Sequence, residues 1–187
     1  MDAFLLALIL TFAIALGGRE QLIVAQFSHQ LERTVPLLAT GLFCAAASAI
    51  IMAYAGASIA AILPRQAAEM LVAFSLAIAA VELVWRIKLK PMKEPTRSYI
   101  AIGAVLFARQ IGDAARFVIF ALAAWSIYPT TAAIGGTLGG ASAVALGWAL
   151  GLPRMERFPL RVWRIGLAIC LFLAALVIGL NARFTFL

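Results

Sequence analysis

The sequence predicts an all-α membrane protein with six transmembrane helices, arranged as two inverted-topology repeats of three helices each. Three observations carry this expectation. The 187-residue chain is 65% hydrophobic with a mean hydropathy of +1.04, far more apolar than a soluble domain, and its charges sit mostly in short clusters. Six apolar stretches approach or exceed the ~20 residues that a bilayer requires. The chain also superposes on itself without a gap when shifted by 95 residues, which lays Gly17 on Gly112, Gly41 on Gly136, Gly56 on Gly151 and Pro64 on Pro159.

The first span is drawn at 3–25. It opens after Asp2 and lacks a basic leading region, so it reads as a membrane helix rather than a cleaved leader, although Ala13 to Ala15 offers a small-x-small site. The second span is drawn at 36–62, the third at 67–87, the fourth at 99–123, the fifth at 129–151 and the sixth at 162–181. All seven prolines (Pro36, Pro64, Pro91, Pro95, Pro129, Pro153 and Pro159) fall at the ends of these spans or between them, as expected where the backbone must satisfy itself through hydrocarbon. Small residues at four-residue spacing, Gly41, Ala45, Ala49, Ala53 and Ala57 in span two and Gly135, Gly139, Ala143, Gly147 and Gly151 in span five, predict faces for close helix packing. The repeat divides the chain into a first three-helix unit at 1–90, a basic cytoplasmic connection at 91–97 and a second unit at 98–187.

Lysine and arginine set the orientation. Arg33 lies in the first connection, Arg86, Lys88, Lys90, Lys93 and Arg97 in the third, and Arg154, Arg157, Arg161 and Arg164 in and beside the fifth, against only Arg65 and Arg183 on the opposite side. The positive-inside rule therefore places connections one, three and five in the cytoplasm and both termini outside it, in the plasma (inner) membrane with lipid as the constant partner. The net charge of +7 and pI near 10.3 read as topology signals rather than a nucleic-acid surface. Trp85, Tyr99, Trp125, Tyr128 and Trp163 fall near span ends, where amphipathic rings anchor at the interface. Cys44 and Cys170 lie in different spans and read as small apolar residues. The lone His29 reads as a solvated connection residue, and Glu69 and Glu82, near the ends of span three, as snorkelling acids. No nucleophile lies beside a base, so an enzyme is not expected, nor is a resident cofactor.

The offset also lays ALGGREQ (15–21) on QIGDAAR (110–116), so both intramembrane charge clusters occupy the same place in their repeat. Each charge at a helix centre costs about 2.5–3.5 kcal/mol, and Arg19, Glu20, Arg109, Asp113 and Arg116 left unpaired would together cost about 15 kcal/mol. They must be paired or wet. On a continuous helix, Arg109, Gln110, Asp113 and Arg116 share about a third of the circumference, and Asp113 meets Arg109 at i,i−4 and Arg116 at i,i+3. The alternative is a buried ionic lock between the halves. Glu20 points about 100° away from Arg19 unless Gly17 and Gly18 break the helix, as transporter helices break at their sites.

At these residues the chain resembles, along its whole length, the Golgi-type calcium and manganese/proton antiporters. Those proteins have six spans, termini outside and one E-x-G-D-[KR]-[TS] motif in the first helix of each inverted half. In the first motif Gly17 and Arg19 match, while Ala15 and Gly18 stand for the two acids and Glu20 for the hydroxyl residue. In the second, Gly112 and Asp113 match, Gln110 stands for the first acid, and Ala114 and Ala115 for the basic and hydroxyl residues. The resemblance implies a divalent-cation/proton antiporter with Asp113 as the coupling carboxylate and metal ligand and Gly17, Gly18 and Gly112 as motif glycines; beside it, Gln110, Glu20 and Gln21 are read as supporting ligands and Arg19, Arg109 and Arg116 as charge partners. Manganese or calcium needs several oxygen ligands, and one carboxylate flanked by two arginines is a poor seat for a dication. Two further expectations follow: a transporter of an anionic or zwitterionic solute, or a non-transporting subunit that pairs with a complete homologue through its small-residue faces.

Overall fold

The computed structural model describes residues 2–30, 34–85, 87, 98–155 and 157–184. The connection expected at 91–97 lies outside the described residues. Among those described there is no strand. The helices are α1 (Asp2–Ala15), α2 (Arg19–Gln30), α3 (Val35–Ile62), α4 (Arg65–Val84), α5 (Tyr99–Ile111), α6 (Ala114–Trp125), α7 (Pro129–Leu150), the short α8 (Leu152–Met155) and α9 (Leu160–Phe184). Four of them, α3, α4, α7 and α9, are long and apolar enough to cross a membrane, and α1 with α2 makes a fifth if the bent pair is one span. Helices α5 and α6 are shorter apolar helices.

Expected spans two, three, five and six each correspond to one long helix, with proline in the first turn of α3 and α7, where its missing N–H costs no helical bond. The span expected as one helix over 99–123 is instead two, and the span at 3–25 bends by 60° between α1 and α2. Gly17 takes φ +70, the left-handed region open to glycine, and a Cβ there would sit 3.0 Å from Leu160. Freed backbone donors inside an apolar core need partners. The Gly17 N–H donates to Gln21 Oε1 at 2.7 Å. At the second break Asp113 caps α6, its Oδ2 accepting the Ala115 N–H at 3.3 Å. The residues at the two breaks, 17–18 and 112–113, are related by the 95-residue shift. Helix α2 runs on to Gln30, so His29 is an exposed residue of its last turn rather than of a connection.

The long helices α3 and α7 occupy the centre, with α1 and α2 against α7 and with α5 and α6 against α3. Glycine permits the approach: a methyl at Gly135 would meet the Phe4 carbonyl, at Gly139 the Leu8 carbonyl, and at Gly56 the Phe120 carbonyl. Gly151, counted in the same stripe, instead turns the chain after α7 at φ +70. The order of these contacts makes α1 parallel to α7 and α5–α6 parallel to α3. Helix α9 pairs with α4; α4 also lies along α6, whereas α9 has no comparable packing on α2.

Trp148 Nε1 donates to the Thr34 carbonyl at 3.2 Å, and Trp85, Ile87 and Leu160 line one cavity, so connections one, three and five share an end. Arg65, Trp125 and Phe184 line a cavity at the other end. Around the outside, large apolar side chains such as Phe43, Ile62, Ile100 and Val162 are more than two-thirds exposed, a belt suited to lipid rather than water.

Candidate functional site

The polar core is built where the two helix breaks meet α3 and α7. Glu20 sits in the first turn of α2 and Arg116 in the first turn of α6, and both are buried. Arg116 holds Glu20 with two parallel hydrogen bonds, Nη1 to Oε1 at 3.2 Å and Nη2 to Oε2 at 3.1 Å. Its Nε donates to Ser48 Oγ on α3 at 2.8 Å. The carboxylate benefits from the free N–H groups at the start of α2, where negative charge is favoured, and the fork geometry of guanidinium on carboxylate fixes both side chains.

Ser48 links the ion pair to Gln110. Its Oγ lies 2.8 Å from the Cys44 carbonyl and 3.0 Å from Gln110 Oε1, and its single proton serves one of them at a time. Gln110 is fully buried, yet among the described residues its Nε2 has no hydrogen-bond partner, and Thr11 Oγ1 is likewise buried and unpartnered there. Thr11 and Arg116 both border the space over Gly140, where a Cβ would lie 3.3 Å from Arg116 Nη1. Glycine at this point therefore gives the guanidinium its room.

Gln21 does different work from a ligand. Its Oε1 accepts from Gly17 N and its Nε2 donates to the Ala143 carbonyl on α7 at 2.8 Å, so both polar ends are committed to backbone. Gln21 and Arg116 are related by the 95-residue shift, as are Ala143 and Ser48. Each break thus sends the same side-chain position across to the same position on the opposite half's long helix.

The structure separates Asp113 from the arginines expected to flank it. Among the described residues Asp113 makes no ion pair; its carboxylate caps α6, Arg116 turns to Glu20, and Arg109 is exposed. The i,i+3 and i,i−4 spacing applies only along a continuous helix, and the chain breaks at Gly112. Arg19 is half-buried without an ion pair among the described residues. Gly17 and Gly112 mark the two breaks, and a Cβ on Gly18 would lie 2.9 Å from the Ala15 carbonyl.

A second, partly buried pair is not legible in the sequence. Arg164 on α9, nineteen-twentieths buried, donates through Nη1 to the Gly17 carbonyl at 3.2 Å and pairs through Nη2 with Glu82 Oε2 at 3.3 Å. It ties α9 and the end of α4 to the first break. Sequence position alone places Arg164 among the topology-setting cations and Glu82 among the snorkelling acids; the signal to the contrary is that Arg164 lies inside the drawn span 162–181. Ser48 had no signal of its own except that the shift pairs it with Ala143.

Oxygens that could approach a cation come from Glu20, Asp113, Ser48, Gln110 and Thr11, but both Glu20 oxygens are taken by the guanidinium and Asp113 Oδ2 by the Ala115 N–H. Among the described residues no group of three or more histidine, cysteine or acidic side chains gathers in metal-binding range. Comparison with protein-family models, curated proteins and solved structures finds no match. The functional reading therefore rests on the site itself.

Proposed function

We propose that the chain is a multi-pass secondary transporter of the plasma (inner) membrane, with six spans in two three-helix halves of opposite orientation and both termini outside the cytoplasm. The observation that carries the proposal is the crossed pair of contacts at the two breaks, Gln21 to Ala143 and Arg116 to Ser48. Broken helices whose half-helix ends converge on buried charge near the middle of an inverted repeat are the arrangement in which transporters bind their solute. The parallel courses of α1 with α7 and of α5–α6 with α3 support the same reading, because equivalent helices then run in opposite directions.

The ion pair conditions the cargo. Exchange of manganese or calcium for protons, the activity that the motif resemblance implies, requires Arg116 to release Glu20, since a hard dication needs several oxygens. Asp113, Glu20 and Gln110 would then supply them. The second reading, transport of an anionic or zwitterionic solute, is favoured by the two-pronged grip of Arg116 on a carboxylate: a solute carboxylate has the same shape and charge and can take the place of Glu20.

The test is internal pH and solute uptake in proteoliposomes of the purified protein, with manganese or calcium added in one arm and small carboxylates in the other. Cation-driven proton flux abolished by Asp113→Asn or Glu20→Gln supports exchange. Carboxylate uptake abolished by Arg116→Gln supports the second reading. No flux of either kind from folded, inserted protein overturns the transporter proposal and leaves the partner-subunit alternative.

A further inference from the structure

Helices α2 and α9 leave between them a half-open cleft of about 360 Å³. Its walls are apolar, formed by Leu22, Leu83, Leu160 and Ile165, and its floor reaches Gly17. Two cations stand over it. Arg164 is engaged with Gly17 and Glu82, whereas Arg161, exposed in the first turn of α9, has no hydrogen-bond or ion-pair partner among the described residues. Trp85, at the end of α4, completes the rim, and Arg154 and Arg157 lie exposed at the same end of the molecule. At about 30 Å³ per water the space equals roughly a dozen waters, which an apolar wall would hold poorly.

The 95-residue shift supplies an independent observation. It carries α9 onto α4 and α2 onto α6, and there the equivalent helices are packed together, with Ser75 Oγ donating to the Phe117 carbonyl at 2.8 Å. The positions matching Ser75 and Phe117 are Cys170 and Leu22; Leu22 faces the cleft and Cys170 is exposed. The shift also lays Leu160 and Arg164 on Arg65 and Glu69. At that opposite end Arg65 is neutralised by Glu69 at 3.1 Å. At one end of the α4–α9 pair the arginine that lines the cavity is thus paired, whereas at the other an apolar slot lies under the unpaired guanidinium of Arg161.

We propose that the α2–α9 cleft is a binding site for an anionic phospholipid, with the headgroup phosphate on Arg161 and the outer edge of Arg164 and the upper acyl chain between Leu22 and Ile165. A phosphate matches the guanidinium fork, and an acyl chain matches the walls. The end carrying the arginines is the one that the charge distribution assigns to the cytoplasm, where anionic headgroups concentrate opposite basic clusters. The site depends on the chain lying in a bilayer and not on what it transports, so failure here leaves the transport reading untouched.

The experiment is native mass spectrometry of the full chain, delipidated in detergent and titrated with phosphatidylglycerol or phosphatidylcholine, with thermal midpoints measured alongside. Phosphatidylglycerol is expected to be retained and to raise the midpoint, while phosphatidylcholine does neither. Arg161→Gln is expected to weaken phosphatidylglycerol binding about five- to tenfold, the value of one juxtamembrane cation. That side chain is exposed, so the variant keeps its fold. Leu22→Trp, which fills the cleft and leaves Arg161 in place, should abolish retention. Equal binding of both lipids, or wild-type affinity in Arg161→Gln, overturns the proposal. A full midpoint shift from inorganic phosphate alone also overturns it, by assigning the site to a soluble anion.

Discussion

Separating Glu20 from Arg116 tests the polar core most directly. Both side chains are buried away from water, and Arg116 is the hydrogen-bond partner of both Glu20 oxygens. Removing one member of a buried ion pair costs about 3–5 kcal/mol because the other charge is left uncompensated, in line with the ~2.5–3.5 kcal/mol for a lone charge at a helix centre. For a chain of this size that corresponds to a fall of roughly 6–20 °C in thermal midpoint. The two single changes should not cost the same. A carboxylate left alone in Arg116→Gln can take up a proton, whereas the guanidinium left in Glu20→Gln stays charged. Glu20→Gln is therefore expected to be the more damaging. In Glu20→Gln/Arg116→Gln no charge remains, and the double variant should recover most of the loss. Circular dichroism melts of all four proteins in one detergent give the coupling. Additive losses, with the double variant falling by the sum of the singles, would refute the pairing.

Gly139→Ala should destabilise by about 1–3 kcal/mol through overpacking, since its methyl meets the Leu8 carbonyl, whereas Gly112→Ala should stay within about 0.5 kcal/mol because nothing lies within 4 Å of the added carbon; equal melts would refute the close approach of α1 and α7. Gln21→Ala removes the partners of Gly17 N and the Ala143 carbonyl and should cost about 2 kcal/mol or more, with Gln21→Glu failing to restore the bond to Ala143 in the same melts. Single cysteines at Lys90 and Ser126 are expected to react with an impermeant thiol reagent from opposite sides of the membrane; reaction from the same side would refute the six-span topology. Ser75→Cys with Phe117→Cys should cross-link faster than Leu22→Cys with the native Cys170, because α4 packs on α6 whereas α9 has no comparable packing on α2. Cross-linking of both pairs at one rate would contradict the difference between the packed α4–α6 contact and the open α2–α9 cleft.

Helix ends were legible because their signals are local. Pro36, Pro64 and Pro129 mark the starts of α3, α4 and α7, and the glycines at 135 and 139 are spaced for a partner that proves to be α1. The first break could be anticipated from two adjacent glycines. The second could not, since Gly112 stands alone and Asp113 fits a continuous helix as well as it fits an N-cap. From that point the local geometry misled: spacing along an unbroken helix put Arg116 beside Asp113, whereas across the break it meets Glu20. The alignment of the halves placed Gln21 on Arg116 and Ala143 on Ser48, so the equivalence was readable, but not that these positions touch. Tertiary contacts between distant segments also decide Arg164, whose place among other arginines made it look like part of the connection.

The buried charges carry an electrical consequence. A single elementary charge moved through the full membrane field exchanges about 2.3 kcal/mol per 100 mV. Glu20 travels with Arg116, and Glu82 with Arg164, so any rigid displacement of either pair does almost no work against the field. Asp113 is the one buried acid outside these pairs among the described residues. Rigid movements of the two pairs are therefore nearly silent to membrane voltage, and a steep voltage dependence would point to the displacement of Asp113 or Arg19, or to the opening of one of the pairs.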